Sequence, residues 1–185
     1  PLSGKVHVEA NLSGPWRELL ADGKLAVSGG EISGWRLEDF STRFSGRRLV
    51  NNWAFRLFEG QGQLAGEALR DLEFSLEQTD GILLLQTLFA RVNGGSLAAS
   101  GLLGPEQLEL NLLGAALPLR VMSQVAPELQ ATGSLNFTGR LSGVPAAPAI
   151  RGEFLAMDGQ ILHQPFTRAV GTIGVQNGVV SLDRV

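Results

Sequence analysis

Apolar and polar residues alternate along much of this chain. Val6, Val8, Ala10 and Leu12 are interleaved with Lys5, His7, Glu9 and Asn11, and Leu72, Phe74 and Leu76 with Asp71, Glu73, Ser75 and Glu77. Leu108, Leu110 and Leu112 alternate with Gln107, Glu109 and Asn111, while Leu135, Phe137 and Leu141 stand among Ser134, Asn136, Thr138 and Arg140. Successive strand side chains point to opposite faces, so each segment predicts a strand with one apolar and one polar face.

Turn signals lie between these segments. Asp22-Gly23, Asp80-Gly81, Asn93-Gly94, Asp158-Gly159 and Asn177-Gly178 are Asx-Gly pairs, which suit the positive φ values of a type I′ hairpin turn. They predict antiparallel meanders. Gly29-Gly30, Gly94-Gly95, Gly60 and Gly62 add further turns or bulges. One stretch differs: Leu119, Met122 and Val125 recur at helical spacing between Pro118 and Pro127. That predicts a short helix over about 118–127 that plugs one end of the sheet or marks a boundary between repeats. A helix that binds a partner is the other reading.

The chain also repeats itself at an offset of 129 residues. Gly4, Leu12, Ser13, Gly14, Gly23, Gly30 and Ile32 align with Gly133, Leu141, Ser142, Gly143, Gly152, Gly159 and Ile161. Val6, Val8 and Leu25 align with Leu135, Phe137 and Phe154. The copies cover about 4–44 and 133–173, and 1–185 is read as one β-repeat segment. A chain that opens at Pro1 and stops at Val185 inside an apolar alternation is read as a piece of a longer protein.

Composition fits this picture. Gly is 24 of 185 residues, without a collagen period, which points to many tight turns. The net charge of −3 argues against a dedicated nucleic-acid surface. Arg43, Arg47, Arg48 and Arg56 cluster locally; a solvated turn and strand edge is the plain reading, an anion site the sharper one. The absence of Cys leaves the redox compartment open. No apolar run approaches the ~18 residues of a membrane-spanning helix.

Catalytic patterns are missing. His7 and His163 form no zinc-spacing motif. There is no Gly-x-Ser-x-Gly elbow and no phosphate-binding Gly-x-x-x-x-Gly-Lys loop. Gly60, Gly62 and Gly66 have the wrong spacing for a dinucleotide fingerprint. Asp71, Glu73 and Glu77 lie on the outward face of a strand, where solvation is the better reading. Asn11-Leu12-Ser13 and Asn136-Phe137-Thr138 match the short glycosylation sequon. The expectation is a non-enzyme without cofactor or metal.

One short helix cannot cover so many apolar strand faces. The sheet must fold on itself as a sandwich, a barrel or a taco-like curl, or stay open as a trough with another occupant. Leu141-Ser142-Gly143, the Pro145–Pro148 linker, Ile150-Arg151-Gly152-Glu153-Phe154 and Asp158-Gly159-Gln160-Ile161 resemble a repeat of the TamB family in the AsmA-like superfamily. Leu12-Ser13-Gly14 through Gly23 to Ile32 resembles an earlier copy, and Gly94-Gly95-Ser96-Leu97-Ala98-Ala99-Ser100-Gly101 and Leu117-Pro118-Leu119 are also similar to family patterns. Residues 35–70, with Trp35, Trp53, Phe55 and Phe58, depart from the pattern.

The resemblance implies an all-β, long curled sheet of repeated antiparallel hairpins with an apolar inner groove. It implies a periplasmic segment of an inner-membrane-anchored protein in a diderm bacterium. Phospholipid transport between the two membranes, or help in outer-membrane protein assembly, would follow, with phospholipid acyl chains and a TamA-like outer-membrane barrel as partners. The expected lining, read from the alternation, is Val6, Val8, Leu12, Leu25, Val27, Phe55, Leu57, Leu72, Phe74, Leu76, Leu108, Leu110, Leu112, Leu135, Phe137, Leu141, Phe154 and Ile161. The alternative is a closed sandwich or β-helix of a surface protein, structural or adhesive, in which the same residues are ordinary core.

Overall fold

The computed structural model describes residues 2–32, 35–64, 66–120, 130–161, 163–176 and 179–183. The fold is all-β and antiparallel. The chain divides into two compact units, Pro1–Val92 and Asn93–Val185.

The first unit holds β1 (Leu2–Ser13), a 3-10 turn η1 (Trp16–Glu18), β2 (Leu20–Ile32), β3 (Trp35–Leu49), β4 (Asn52–Leu64), β5 (Glu67–Thr79) and β6 (Ile82–Val92). Each strand pairs with the next in sequence, as a meander. The second holds β7 (Gly95–Leu103), β8 (Leu108–Pro118), β9 (Thr132–Val144), β10 (Ala147–Ile161), β11 (Gln164–Gln176) and β12 (Val179–Asp183), paired in the same serial way. Among the described residues β1 is paired with β2 alone in the first unit, and β12 with β11 alone in the second.

Two of the five Asx-Gly pairs make the expected turns. Asp80-Gly81 has φ of 51° and 82°, and Asn93-Gly94 has 47° and 90°. Asp22-Gly23 and Asp158-Gly159 instead lie inside β2 and β10. The reason is tertiary. A Cβ on Gly23 would collide with the Glu9 carbonyl oxygen and come within 2.9 Å of the Phe44 ring; one on Gly159 would collide with the Thr132 carbonyl and reach within 2.7 Å of the Phe166 ring. These glycines let a neighbouring strand and an aromatic ring approach closely. The β1–β2 connection is made by η1, and the β3–β4 turn by Val50 and Asn51. Asn177-Gly178 lies outside the described residues. So does most of the expected helix: Pro118 is the last residue of β8, and residues 121–129 are not described.

The strict period of two is broken by a recurring step. In β2, β3, β4, β5, β8 and β10 the face-determining residues are spaced once by three instead of two: Val27 to Gly30, Leu37 to Phe40, Leu57 to Gly60, Leu69 to Leu72, Gly114 to Leu117 and Ala156 to Gly159. The third residue of each step has a left-handed backbone: Gly29 (61°), Asp39 (46°), Glu59 (57°), Asp71 (51°), Ala116 (49°) and Asp158 (49°). Each step is a β-bulge, and its extra residue keeps the apolar side chains before and after it on one face. Registers shift at these places. In the first unit the bulges lie side by side in adjacent strands. There the Thr42 hydroxyl, buried in the sheet, donates to the carbonyl of Phe58 at 3.0 Å, which supplies the buried hydroxyl with its partner.

Hairpin β9–β10 reproduces β1–β2 at the same offset of 129. Val6 faces Val27 as Leu135 faces Ala156, and Val8 faces Leu25 as Phe137 faces Phe154. Gly4 (φ 116°) and Gly133 (φ 107°) take equivalent places; a Cβ on either would stand 2.6 or 2.7 Å from the Cα of Gly30 or Gly159.

Candidate functional site: the apolar face

Cross-strand partners share a face, so register alone assembles the site. In the first unit one row runs Val8, Leu25, Thr42, and another runs Gly46, Phe55, Leu76, Leu85. A third runs Ala10, Gly23, Phe44, Leu57, Phe74, Leu88. Val6, Val27 and Phe40 make a fourth, Leu12 faces Ala21, and Leu72 faces Gly60. The structure therefore places Val6, Val8, Leu12, Leu25, Val27, Phe55, Leu57, Leu72, Phe74 and Leu76 on one face. Three aromatic rings cross its middle: Phe44 stacks on Phe55 at 6.3 Å, and Phe55 meets Phe74 edge-on at 6.5 Å, a favourable geometry for each pair.

In the second unit, Leu103, Leu108, Gly143 form one row and Gly101, Leu110, Leu141, Ile150 the next. Ala99, Leu112, Gly139, Gly152, Ile173 and Leu97, Gly114, Phe137, Phe154, Gly171 follow. Leu135 and Ala156 continue the face beyond. Ile161 reaches the same side by packing: with Leu135, Phe154, Phe166 and Ala169 it surrounds the buried trio Leu119, Ala131 and Ala156.

Sequence reading missed several members of this face. Leu37, Phe40, Leu69, Leu85 and Val92 are its most buried large residues, each 5–6% exposed. For Leu37, Phe40, Leu69 and Leu85 the signal is the spacing of three: once Leu69-x-x-Leu72 is read as a bulge, both leucines fall on one side, while Val92 follows Leu88 and Ala90 in plain alternation.

The face is only partly shielded. Among the described residues no large side chain is fully buried, and on β1 Val6, Val8 and Leu12 are 56%, 53% and 67% exposed. The opposite face of the first unit carries most of its charged residues. Its shallow hollows are mixed: Asp22, Ser45, Arg47, Arg56, Glu73, Glu77 and Thr87 line one together with Leu20, Ala21, Ala54, Leu57 and Phe74, and His7, Glu9, Lys24, Arg43 and Gln61 line another together with Leu25 and Ala26. Arg43 pairs with Glu59 at 3.7 Å, Arg47 with Glu77 at 3.8 Å and Arg91 with Asp71 at 3.4 Å. These are surface pairs that organise the polar face and add little stability each. Arg48 departs from this cluster: it lies on the apolar side, over the Trp16 ring.

His7 is on the polar face beside Glu9, and His163 is in the β10–β11 turn. Among the described residues no group of His, Asp or Glu is placed to hold a metal ion, and no helix is long and apolar enough to cross a membrane. What remains as a feature with binding chemistry is a partly covered apolar face in each unit. No protein-family profile, curated protein or solved structure matches this chain.

Proposed function

We propose that this chain is a segment of a TamB-like bridge in which the apolar face of each unit holds the acyl chains of phospholipid. One observation carries the reading: rows of Leu, Val, Ile and Phe run strand to strand across each unit and are covered unevenly, with Leu37, Phe40, Leu69, Leu85 and Val92 buried but Val6, Val8 and Leu12 on β1 more than half exposed. A sandwich core of this many residues would be shielded on both sides. An apolar surface left half-covered favours an apolar occupant.

Acyl chains suit such a surface. Each methylene removed from water contributes roughly 0.8 kcal/mol, and side chains without directional bonds let a chain slide. The bulges serve the same end, because they keep the face apolar along strands as long as the 15 residues of β3 and β10. On this reading the segment is periplasmic, in a diderm bacterium, within a protein anchored in the inner membrane and working with a TamA-like outer-membrane barrel. Help in outer-membrane protein assembly would use the same surface for unfolded β-strands. A closed structural repeat is the second reading; the packing of Leu135, Phe154 and Phe166 around Ala156, which is 2% exposed, favours it.

Mass spectrometry of the organic extract from detergent-free protein tests the proposal. Near-stoichiometric phospholipid is expected from wild type, with loss in Leu110→Arg and Phe74→Glu variants that keep their β-sheet circular dichroism. A folded double variant with full lipid occupancy, or lipid-free wild type, would refute it.

A further inference from the structure

The large exposed apolar side chains of the first unit are not scattered. Among the described residues, apart from Val6 and Val8, they gather where β1, β3 and β5 end and β2, β4 and β6 begin. Trp16 is 70% exposed on η1, a turn with no buried residue. Leu49, Val50 and Trp53, at the β3–β4 hairpin, are exposed beside it. Backbone hydrogen bonds tie the two together: Val50 N–H donates to the Arg17 carbonyl and Arg48 N–H to that of Leu19, each at 2.8 Å. They form one surface.

Two features set this surface apart from ordinary loop tips. The first is charge. The whole chain is at −3, yet residues 15–20 and 47–53 carry Arg17, Arg47 and Arg48 against Glu18, with Asp80 of the adjoining turn, whose N–H donates to Asn52 Oδ1, as a further carboxylate nearby. Arg47 also meets Glu77, while the Arg48 guanidinium lies 4.7 Å from the centre of the exposed Trp16 ring. The second is strain. Val50 holds a left-handed φ of 54° at the hairpin apex and is 58% exposed. A β-branched residue is costly in that conformation, and Asn or Gly would serve the turn better. Folding alone gives no reason for an apolar, branched side chain there.

Exposed Trp and branched aliphatic residues flanked by Arg are the composition of proteins that seat in the boundary between lipid headgroups and acyl chains: the rings and aliphatics enter, and the guanidinium groups stay with the phosphates. We infer that this tip, with Trp16, Val50 and Trp53 as its apolar part and Arg17 and Arg48 as its cationic part, docks the first unit onto an anionic phospholipid bilayer surface. The inference goes beyond carriage of acyl chains along the sheet and does not depend on it.

Flotation of the intact chain with vesicles of phosphatidylglycerol and phosphatidylcholine in equal parts, beside phosphatidylcholine alone, tests it. Wild type is expected to float with the mixed vesicles, less so as salt rises, with tryptophan fluorescence quenched by brominated acyl chains. Trp16→Ser is expected to weaken partitioning about tenfold, and Val50→Asn and Arg17→Gln about fivefold each. Val50→Asn relieves the backbone, so its urea midpoint should rise while its binding falls, which no folding defect would produce. Leu113→Ser, at an exposed apolar site of the second unit, should float like wild type. Val50→Asn should also retain any lipid found in the organic extract, which separates this inference from the acyl-chain proposal. Wild type left in the aqueous fraction, or Val50→Asn floating undiminished, overturns the inference. Self-association that Val50→Asn abolishes, without flotation, would assign the surface to a second copy of the chain and overturn it as well.

Discussion

Asp71 occupies what strict alternation reads as an ordinary outward strand position, and the structure makes it the left-handed residue of a bulge, at φ 51° between Leu69 and Leu72. The two descriptions predict opposite results for Asp71→Val. In a regular strand, valine would be preferred over aspartate on a propensity scale that spans about 1 kcal/mol. In the bulge, a left-handed backbone costs an ordinary L-residue about 1–2 kcal/mol, more when it is β-branched, whereas Asp and Gly tolerate it. The pair with Arg91, at 3.4 Å and over 60% exposed on both sides, contributes no more than ~0.5 kcal/mol. Asp71→Val should therefore lose about 2 kcal/mol, and Asp71→Gly should stay within ~0.5 kcal/mol of wild type. Urea unfolding followed by circular dichroism reads both, with the slope of the transition checked for constancy. Asp71→Val as stable as wild type, or Asp71→Gly the worse of the two, would refute the bulge.

Asn136→Ala removes the acceptor of the Ala116 N–H, whose bond to the Asn136 Oδ1 is 2.9 Å; a loss of about 1 kcal/mol is expected in the same assay, since it helps hold the β8 bulge. Val50→Asn should gain about 1 kcal/mol by relieving the hairpin apex, as a higher urea midpoint would show.

Strand formation and the division into an apolar and a polar face were legible in the sequence, because period-two alternation is a local property of the chain. Val8 opposite Leu25 and Phe137 opposite Phe154 follow from it once the hairpins are drawn. The Asp80-Gly81 and Asn93-Gly94 turns were legible for a similar reason, the ease with which those residues take positive φ. Asp22-Gly23 and Asp158-Gly159 have the same local chemistry and are not turns. Nothing within a dipeptide records that the Phe44 ring or the Thr132 carbonyl will press against the glycine. The bulges fall between these cases. Their spacing of three is written in Leu37-x-x-Phe40 and Leu69-x-x-Leu72, but an isolated spacing of three also fits a helix, and only neighbouring strands with shifts at the same level decide it. Exposure was not legible at all. Leu12 at 67% and Leu69 at 5% are the same residue type in the same kind of alternation. The difference is position: Leu12 lies on an end strand paired on one side, and Leu69 between two partners. Alternation fixes which face a side chain takes, and the number of neighbouring strands decides how far that face is covered.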